Sequence, residues 1–156
     1  MKLNGQTTLC FLVKDGKVCL GMKKRGFGTG NWNGIGGKQQ EGETIMKTFL
    51  RETEEELTIK PIDFEKLGEL KFYYLANEKW NQRVHVYVIY KWEGEPKESE
   101  EVKPDWWPID NLPFHSMWPD DPHWLPPVLA GQYTKAKFIF GEDNKIKSFK
   151  VNVTEN

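Results

Sequence analysis

The chain has 156 residues, with 22 Lys and Arg against 23 Asp and Glu, and a net charge of −1. That length supports one domain, residues 1–156, with a sizeable core, and the charge balance exerts no general pull on nucleic acid or an anionic membrane. No run reaches the ~18 apolar residues of a membrane span, and the opening MKLNGQTTLCFLVKDGK lacks a signal-peptide cleavage pattern, so a cytoplasmic protein with no membrane partner is expected.

TTLCFLV and KVCLGMK, joined by Lys14-Asp15-Gly16, read as a hairpin. Residues 24–38 form a Gly-rich loop. Residues 44–57 read as a helix, with Thr44 as a cap near its start. KLGELKFYYL and RVHVYVIYKW read as strands, and GEPKESEEVKPD as a charged loop. Residues 104–127 are dense in Pro and Trp, and Pro126-Pro127 is expected to interrupt a smooth helix there. KAKFIF and KIKSFKVNV, around Gly141-Glu142-Asp143-Asn144, close the chain as a second hairpin. Several strands with one strong helix between them suggest a mixed sheet with helices packed on it. Cys10 and Cys19 are too few for a disulfide framework and read as two reduced thiols. His85, His115 and His123 have no metal-ligand spacing.

The helix poses a question of charge. Glu52, Glu55 and Glu56 fall within an arc of about 100° at 100° per residue. Met46, Phe49, Leu50, Thr53 and Leu57 form the expected core face, and Glu54 and Lys47 face solvent. Like charges at this spacing weaken a helix by roughly 0.2–0.5 kcal/mol per pair. The patch is either a solvated acidic face or a site for a hard divalent cation, which takes oxygen ligands and shares itself with substrate phosphates. GFGTGNWNGIGGK is no phosphate cradle of a familiar kind. Trp32 stands where a P-loop needs its first glycine, Gln39 where it needs Ser or Thr, and Asn31 where GxGxxG needs its third glycine.

The upstream residues extend the helix motif: Gly37, five residues, Glu43, seven residues, Arg51-Glu52, two residues, Glu55-Glu56. This string resembles the Nudix box of hydrolases that cut nucleoside diphosphates linked to another group. At ~6–7% usage per residue type, six such matches arise by chance roughly once in ten million start positions, so spacing rather than composition carries the likeness. Two positions depart: Thr53 stands where the family has an aliphatic residue, and Thr58 where it has Gly. The resemblance implies an α/β fold, the Nudix α/β/α sandwich with a central mixed β-sheet. It implies Mg²⁺, replaceable by Mn²⁺, held by Gly36, Glu52, Glu55, Glu56 and Glu101. Glu52, Glu56 and Arg51 are the expected catalytic set, with the general base left open between Glu52 and Glu56. Arg51 either holds a glutamate by a forked ion pair or makes an ordinary surface pair with Glu55.

GMKKRGFGTGNWNGIGGK and the later MWPDDPHW resemble the Nudix enzymes that hydrolyse oxidised purine nucleoside triphosphates. That likeness implies a substrate site of Thr8, Lys23, Phe27, Asn33, Gly36, Gly37, Lys38, Phe72, Trp118, Pro119, Asp120 and Asp121. Trp118 is either a platform for a purine or one more packed tryptophan among seven. Asp120 and Asp121 are either helix-cap residues before Pro122 or readers of the base edge. Two close carboxyls in an aromatic pocket tend to share a proton, which would let one pocket match more than one purine edge. The expected function is Mg²⁺-dependent hydrolysis of 8-oxo-dGTP and 2-hydroxy-dATP to nucleoside monophosphate and pyrophosphate by a monomer, with the nucleotide as its only partner. The rival within the same chemistry is hydrolysis of dinucleoside polyphosphates or other nucleoside diphosphate derivatives. The rival from another class is a non-catalytic nucleotide- or RNA-binding module, against which the three retained glutamates argue.

Overall fold

The computed structural model describes residues 1–26 and 28–154. The first hairpin is present: β1 (Gly5–Lys14) pairs antiparallel with β2 (Lys17–Lys23), and Asp15 and Gly16 at its tip take φ of 52° and 73°. Positive φ at both central residues is what makes a two-residue turn match the twist of its strands. The pairing runs only from Leu12↔Cys19 to Lys14↔Lys17, and beyond Cys19 the strands splay. Part of the Gly-rich segment fills the gap. β3 (Trp32–Asn33) takes the inner edge of β2 at Gly21 and Met22, and the residues after it bridge β1 at Cys10↔Ile35 and Thr7↔Lys38. The sequence reading of 24–38 as loop throughout is corrected to that extent.

β4 (Lys60–Tyr74) pairs antiparallel with β5 (Gln82–Glu93), which runs parallel to β1. β4 starts at Lys60 rather than Lys66, because register shifts at Pro61/Asp63, Asp63/Phe64 and Lys66/Gly68 break the alternation that would have announced it. β6 (Val102–Pro108) covers the outer edge of β2 from Lys17↔Pro108 to Lys23↔Val102. The second part of the expected charged loop is therefore a strand. Proline is tolerated there because an edge strand leaves alternate N–H groups unpaired. β7 (Tyr133–Phe140) runs parallel to β4 and pairs with β8 (Ile146–Thr154) in the closing hairpin. The sheet order is β3-β2-β1-β5-β4-β7-β8, with β6 on β2.

Alternation along the strands assigns the helices to opposite faces. Cys10 and Leu12 of β1 and Tyr87 and Ile89 of β5 pack with Phe49 and Leu57 of α1 (Ile45–Leu57). Phe11 of β1 and Val84, Val86 and Val88 of β5 pack with Trp124, Leu125 and Val128 of α2 (Asp121–Leu129). Successive strand side chains point to opposite faces, so this is the α/β/α sandwich with a mixed sheet. Phe49 stacks on Tyr87 at 4.1 Å, and Phe11 meets Trp124 edge-on at 6.0 Å. Among the described residues no helix is long and apolar enough to cross a membrane.

Thr44 caps α1 by accepting from the Lys47 N–H at 3.1 Å. Phe49, Thr53 and Leu57 are buried as expected, but Met46 and Leu50 are 44% and 37% exposed, and Thr48 is fully buried instead. The buried face is thus turned towards Glu52 and Glu56. Thr53 fits an apolar setting because its hydroxyl donates to the Phe49 carbonyl at 2.6 Å, beside Cys10 Sγ. Both cysteines are buried and free, and burial pushes each thiol up to about 12. α2 continues through Pro126 and Pro127, against the expectation of a break. The ring's fixed φ suits a helix, and burial of Trp124, Leu125 and Val128 offsets the two lost N–H donors.

α1 ends on Thr58 in the left-handed region, φ 58° and ψ 36°, with its N–H on the Glu54 carbonyl at 2.9 Å. A β-branched residue is strained there, whereas Gly is not. Thr58→Gly is expected to stabilise the protein by roughly 0.5–1 kcal/mol, the relief of left-handed strain less the added chain entropy of Gly. A rise in the urea midpoint at unchanged slope is the readout, and a fall would contradict the assignment of strain.

Candidate active site

Arg51 answers the question of charge. Its Nε and Nη2 fork onto the two oxygens of Glu43 at 2.7 and 2.9 Å. Its Nη1 reaches Glu52 Oε1 at 2.8 Å and Glu55 Oε2 at 3.2 Å, and Nη2 also donates to the Lys38 carbonyl at 3.1 Å. The fork goes to Glu43 rather than to a glutamate of the helix, and the Glu55 contact is the weaker addition. Glu43 also accepts from the Gln40 N–H and the Thr48 hydroxyl. Arg51 above all, with these donors, holds its carboxyl down at about 2.

Two glycines bring the loop against this cluster. A Cβ on Gly37 would collide with the Glu52 carboxyl, and one on Gly36 with the Thr8 carbonyl oxygen. The Thr8 N–H donates to the Gly37 carbonyl at 2.9 Å, which pins the loop to β1. Glu56 reaches the cleft beyond. Burial first, then the charge of Glu52, pushes its carboxyl up to about 7, against a downward pull from Lys23 and the Gly36 backbone N–H. Glu101 lines the same cleft, but Arg25 forks onto its Oε1 and holds its carboxyl below the usual range. The side chain of Glu55 is 57% exposed and turned to Arg51.

Among the described residues no three acidic, His or Cys side chains converge as a metal cage. The four carboxylates expected to hold the ion are drawn apart, two of them by Arg51 and one by Arg25. The donors nonetheless suit a hard divalent cation. They are oxygens, and burial together with the charge of Glu52 raises the Glu56 carboxyl, a cost that a bound cation would relieve.

The cleft has a volume of about 740 Å³. Gly36, Gly37, Lys38 and Glu56 line it, as do Thr8, Lys23 and Asn33. Phe72, Trp118, Asp120 and Asp121 line it too. Three strand steps, from the loop across β1 and β5 to β4, separate Gly37 from Phe72, or roughly 14 Å at 4.8 Å each. Trp118 lies against Gly28. Pro119 is not on the wall, and Phe27 lies outside the described residues. A second, shallower hollow of about 650 Å³ near Gly141 and Lys145 holds none of the expected site residues.

Asp120 and Asp121 are 4% and 6% exposed. Asp120 makes no capping bond. Its Oδ2 accepts from Trp124 Nε1 at 2.8 Å instead. Burial raises both carboxyls, and Asp121 is raised well above the usual range because the Asp120 charge and a hydrogen bond to it add to the effect. The pair therefore favours holding a proton between its two carboxyls. Trp124 was missed as part of the site, although its place four residues after Asp120 at a helix start is the spacing at which side chains meet. Gln6, Tyr74 and Gln82 also line the cleft, and as alternating strand residues they carried no signal.

Residues 3–128 match the NUDIX domain. The chain belongs to the Nudix family. It is 41% identical over 149 residues to the oxidized purine nucleoside triphosphate hydrolase of Danio rerio, covering 96% of this chain and 95% of that protein. The Mus musculus protein of the same description is 38% identical over the same coverage. Among solved structures, the MutT protein from Bacillus halodurans aligns with a TM-score of 0.81 at 25% identity, over 95% of this chain and 97% of that one. Nudix hydrolases generally require a divalent metal ion, in keeping with the donor set at Glu52 and Glu56.

Glu56 and Glu43 act in separate pH windows. The Glu56 carboxyl titrates at about 7 in the metal-free fold against 4.5 when unperturbed. Its contribution to stability is complete below 4.5 and lost as pH rises through about 7. Glu43 works the other way: its contribution is complete above 4.5 and lost as pH falls through about 2. Between pH 4.5 and 7 metal-free protein should thus show opposed slopes, a loss from Glu56 and the aspartate pair and a gain from His85, whose ring burial lowers to about 4, and Glu56→Gln should remove part of the loss. Denaturant titrations across this range in a chelating buffer check it, and an unchanged slope in the variant would assign the effect elsewhere.

Proposed function

We propose that this chain hydrolyses oxidised purine (deoxy)nucleoside triphosphates, 8-oxo-dGTP and 2-hydroxy-dATP among them, to the nucleoside monophosphate and pyrophosphate. It does so as a monomeric domain in the cytoplasm, with Mg²⁺ as its metal and Mn²⁺ able to replace it. The observation that carries the reading is one cleft whose wall holds Glu56 and Gly37 and also a buried aspartate pair. A nucleotide would lie in it with its phosphates at the glycines and its base at the aspartates. The naming of two near full-length relatives as oxidized purine nucleoside triphosphate hydrolases supports the same substrate class.

Glu52, Glu56, Glu101 and the Gly36 carbonyl are the groups that would hold the metal. When bound, it supplies charge neutralisation and orientation on the polyphosphate. Arg51 positions Glu43 and Glu52 and leaves the chemistry to the carboxylates. Glu52 and Glu56 are the two groups able to take a proton from the attacking water, and Glu56 is the one on the cleft wall. Lys23 and Lys38 bring positive charge along the path of the phosphates. Trp118 and Phe72 flank the base. Asp121 gives its edge a donor and Asp120 an acceptor, and movement of the one proton between them exchanges those roles.

Three measurements test this. A turnover panel of oxidised and ordinary nucleoside triphosphates with Mg²⁺ should favour the oxidised purines and release pyrophosphate. Preference for unmodified dGTP, or stepwise release of single phosphates, would overturn it. Glu56→Gln should lose most turnover while keeping the fold, and Glu54→Gln, exposed on the far side of α1, should lose little. Equal effects of the two would count against the site.

Base choice supplies the third. Trp118→Ala should weaken all purine substrates by about 1–3 kcal/mol, by analogy with base–aromatic stacking elsewhere. Asp120→Asn fixes a donor and an acceptor in place of a movable proton. It should change the ratio of kcat/KM between 8-oxo-dGTP and 2-hydroxy-dATP more than their mean. A uniform loss with the ratio unchanged would remove the shared proton from the account.

A further inference from the structure

Four cations stand in one row across the sheet. Arg83 of β5 pairs with Lys71 of β4, Lys71 with Lys137 of β7, and Lys137 with Lys150 of β8. Directly paired residues share a face, so the four side chains emerge side by side, one per strand, over roughly 14 Å at 4.8 Å a step. Like charges directly opposite one another destabilise a sheet. Little nearby relieves them. The carboxylate beside the row is Glu69, which Arg83 reaches at 3.7 Å and Lys66 at 3.8 Å. Among the described residues Lys71, Lys137 and Lys150 make no ion pair, and Lys137 lies over the Tyr73 ring at 5.2 Å. Lysines on an edge strand guard against unwanted pairing, but that accounts only for Lys150, since β4 and β7 are interior strands.

The row lies on the α1 face, because its neighbours Leu70, Phe72 and Phe138 point into the core under α2. α1 covers this face at Phe64, Tyr87 and Ile89 and leaves the three lysines exposed. A net charge of −1 hides this local concentration of positive charge. We propose that this face docks single-stranded nucleic acid, with the sugar–phosphate backbone lying across the strands on Arg83, Lys71, Lys137 and Lys150. An evenly spaced line of cations matches an extended line of phosphates. A flat sheet face enters no duplex groove. The exposed apolar side chains of β8, Phe149 and Val153, pair with Phe138 and Thr134 and so point to the other face, which leaves nothing here to insert into a membrane. Tyr133, partly exposed on the same face as Lys135 and Lys137, offers an unstacked base an aromatic surface for which an acidic peptide has no use. Trp124 and the aspartate pair lie on the α2 side of the sheet, so docking leaves their part of the cleft free.

The test is fluorescence anisotropy of a labelled single-stranded oligothymidylate at several salt concentrations. Its arms are wild type, Lys71→Gln with Lys137→Gln, and, as a control of equal charge, Lys14→Gln with Lys17→Gln at the exposed tip of the first hairpin. The row variant should bind about threefold to tenfold more weakly at low salt, two exposed ion pairs having been lost. Its plot of log affinity against log salt should be shallower by about 1.4, at ~0.7 for each lost phosphate contact on a single strand. The hairpin variant should match wild type. Relief of repulsion should also raise the urea midpoint of the row variant, so a loss of binding is not a loss of fold. Absence of binding by wild type, or equal losses in the two variants, would overturn the proposal. So would tighter binding to a duplex, to phosphatidylserine vesicles or to polyglutamate-blocked competition. A lowered urea midpoint would show that the row is not under repulsion and remove the observation on which the proposal stands.

Discussion

The glutamates of α1 reach the cleft through the splay between β1 and β2, and the splay is held open and narrow by Gly36 and Gly37. Helix and cleft lie on different faces of the sheet. α1 packs against Cys10, Leu12 and Tyr87, whereas the cleft's apolar wall includes Phe72, Val84 and Trp124 from the other side. A closed hairpin would separate them by a layer of backbone. Here the loop from Trp32 to Lys38 replaces part of that layer, and its two glycines let Thr8 from one side and Glu52 from the other come within contact. The carboxylates of α1 and the cleft meet because the sheet is interrupted at this point.

Arg51 makes the interruption stable. Three glutamates around one guanidinium would repel one another without it, and it also ties the Lys38 carbonyl of the loop to the helix. The result is a division of labour among like residues. Glu43 is held fully ionised and belongs to the scaffold. Glu56, on the same network but outside the reach of Arg51, keeps an elevated affinity for protons and belongs to the cleft. The aspartate pair repeats this logic with burial as the cause: both carboxyls are raised, and Trp124 donates to one of them.

The helix, its cap, both hairpins and the carboxylate string were legible in the sequence because each rests on local spacing. The core face of α1 was misjudged by a rotation, since hydrophobic periodicity counts Met46 and Leu50 but has no means of counting a buried Thr48 bonded to Glu43. β6 was hidden because its partner on β2 is distant in sequence and its own residues are Lys, Pro and Asp in part. Twelve of the expected residues line the cleft, among them Thr8, Lys23 and Asn33. Gln82 was invisible for a simpler reason. Its bond from the Thr7 hydroxyl exists only through the parallel pairing of β1 with β5.

That parallel pairing has a consequence for the order of assembly. Arg51 and Glu43 are eight residues apart, and Thr8 and Gly37 twenty-nine, but Thr7 and Gln82 meet across seventy-five. Contacts of long sequence separation form late, because the chain entropy of closing the loop is lost before the contact rewards it. On a ribosome the carboxylate cluster has all its residues long before β5 emerges, and longer still before Asp120. A half-made chain thus carries a charged helix and its arginine clasp without the rest of the cleft wall. The buried aspartate pair is the last part of that wall to be made, and an interrupted synthesis leaves the acidic cluster facing an unfinished groove.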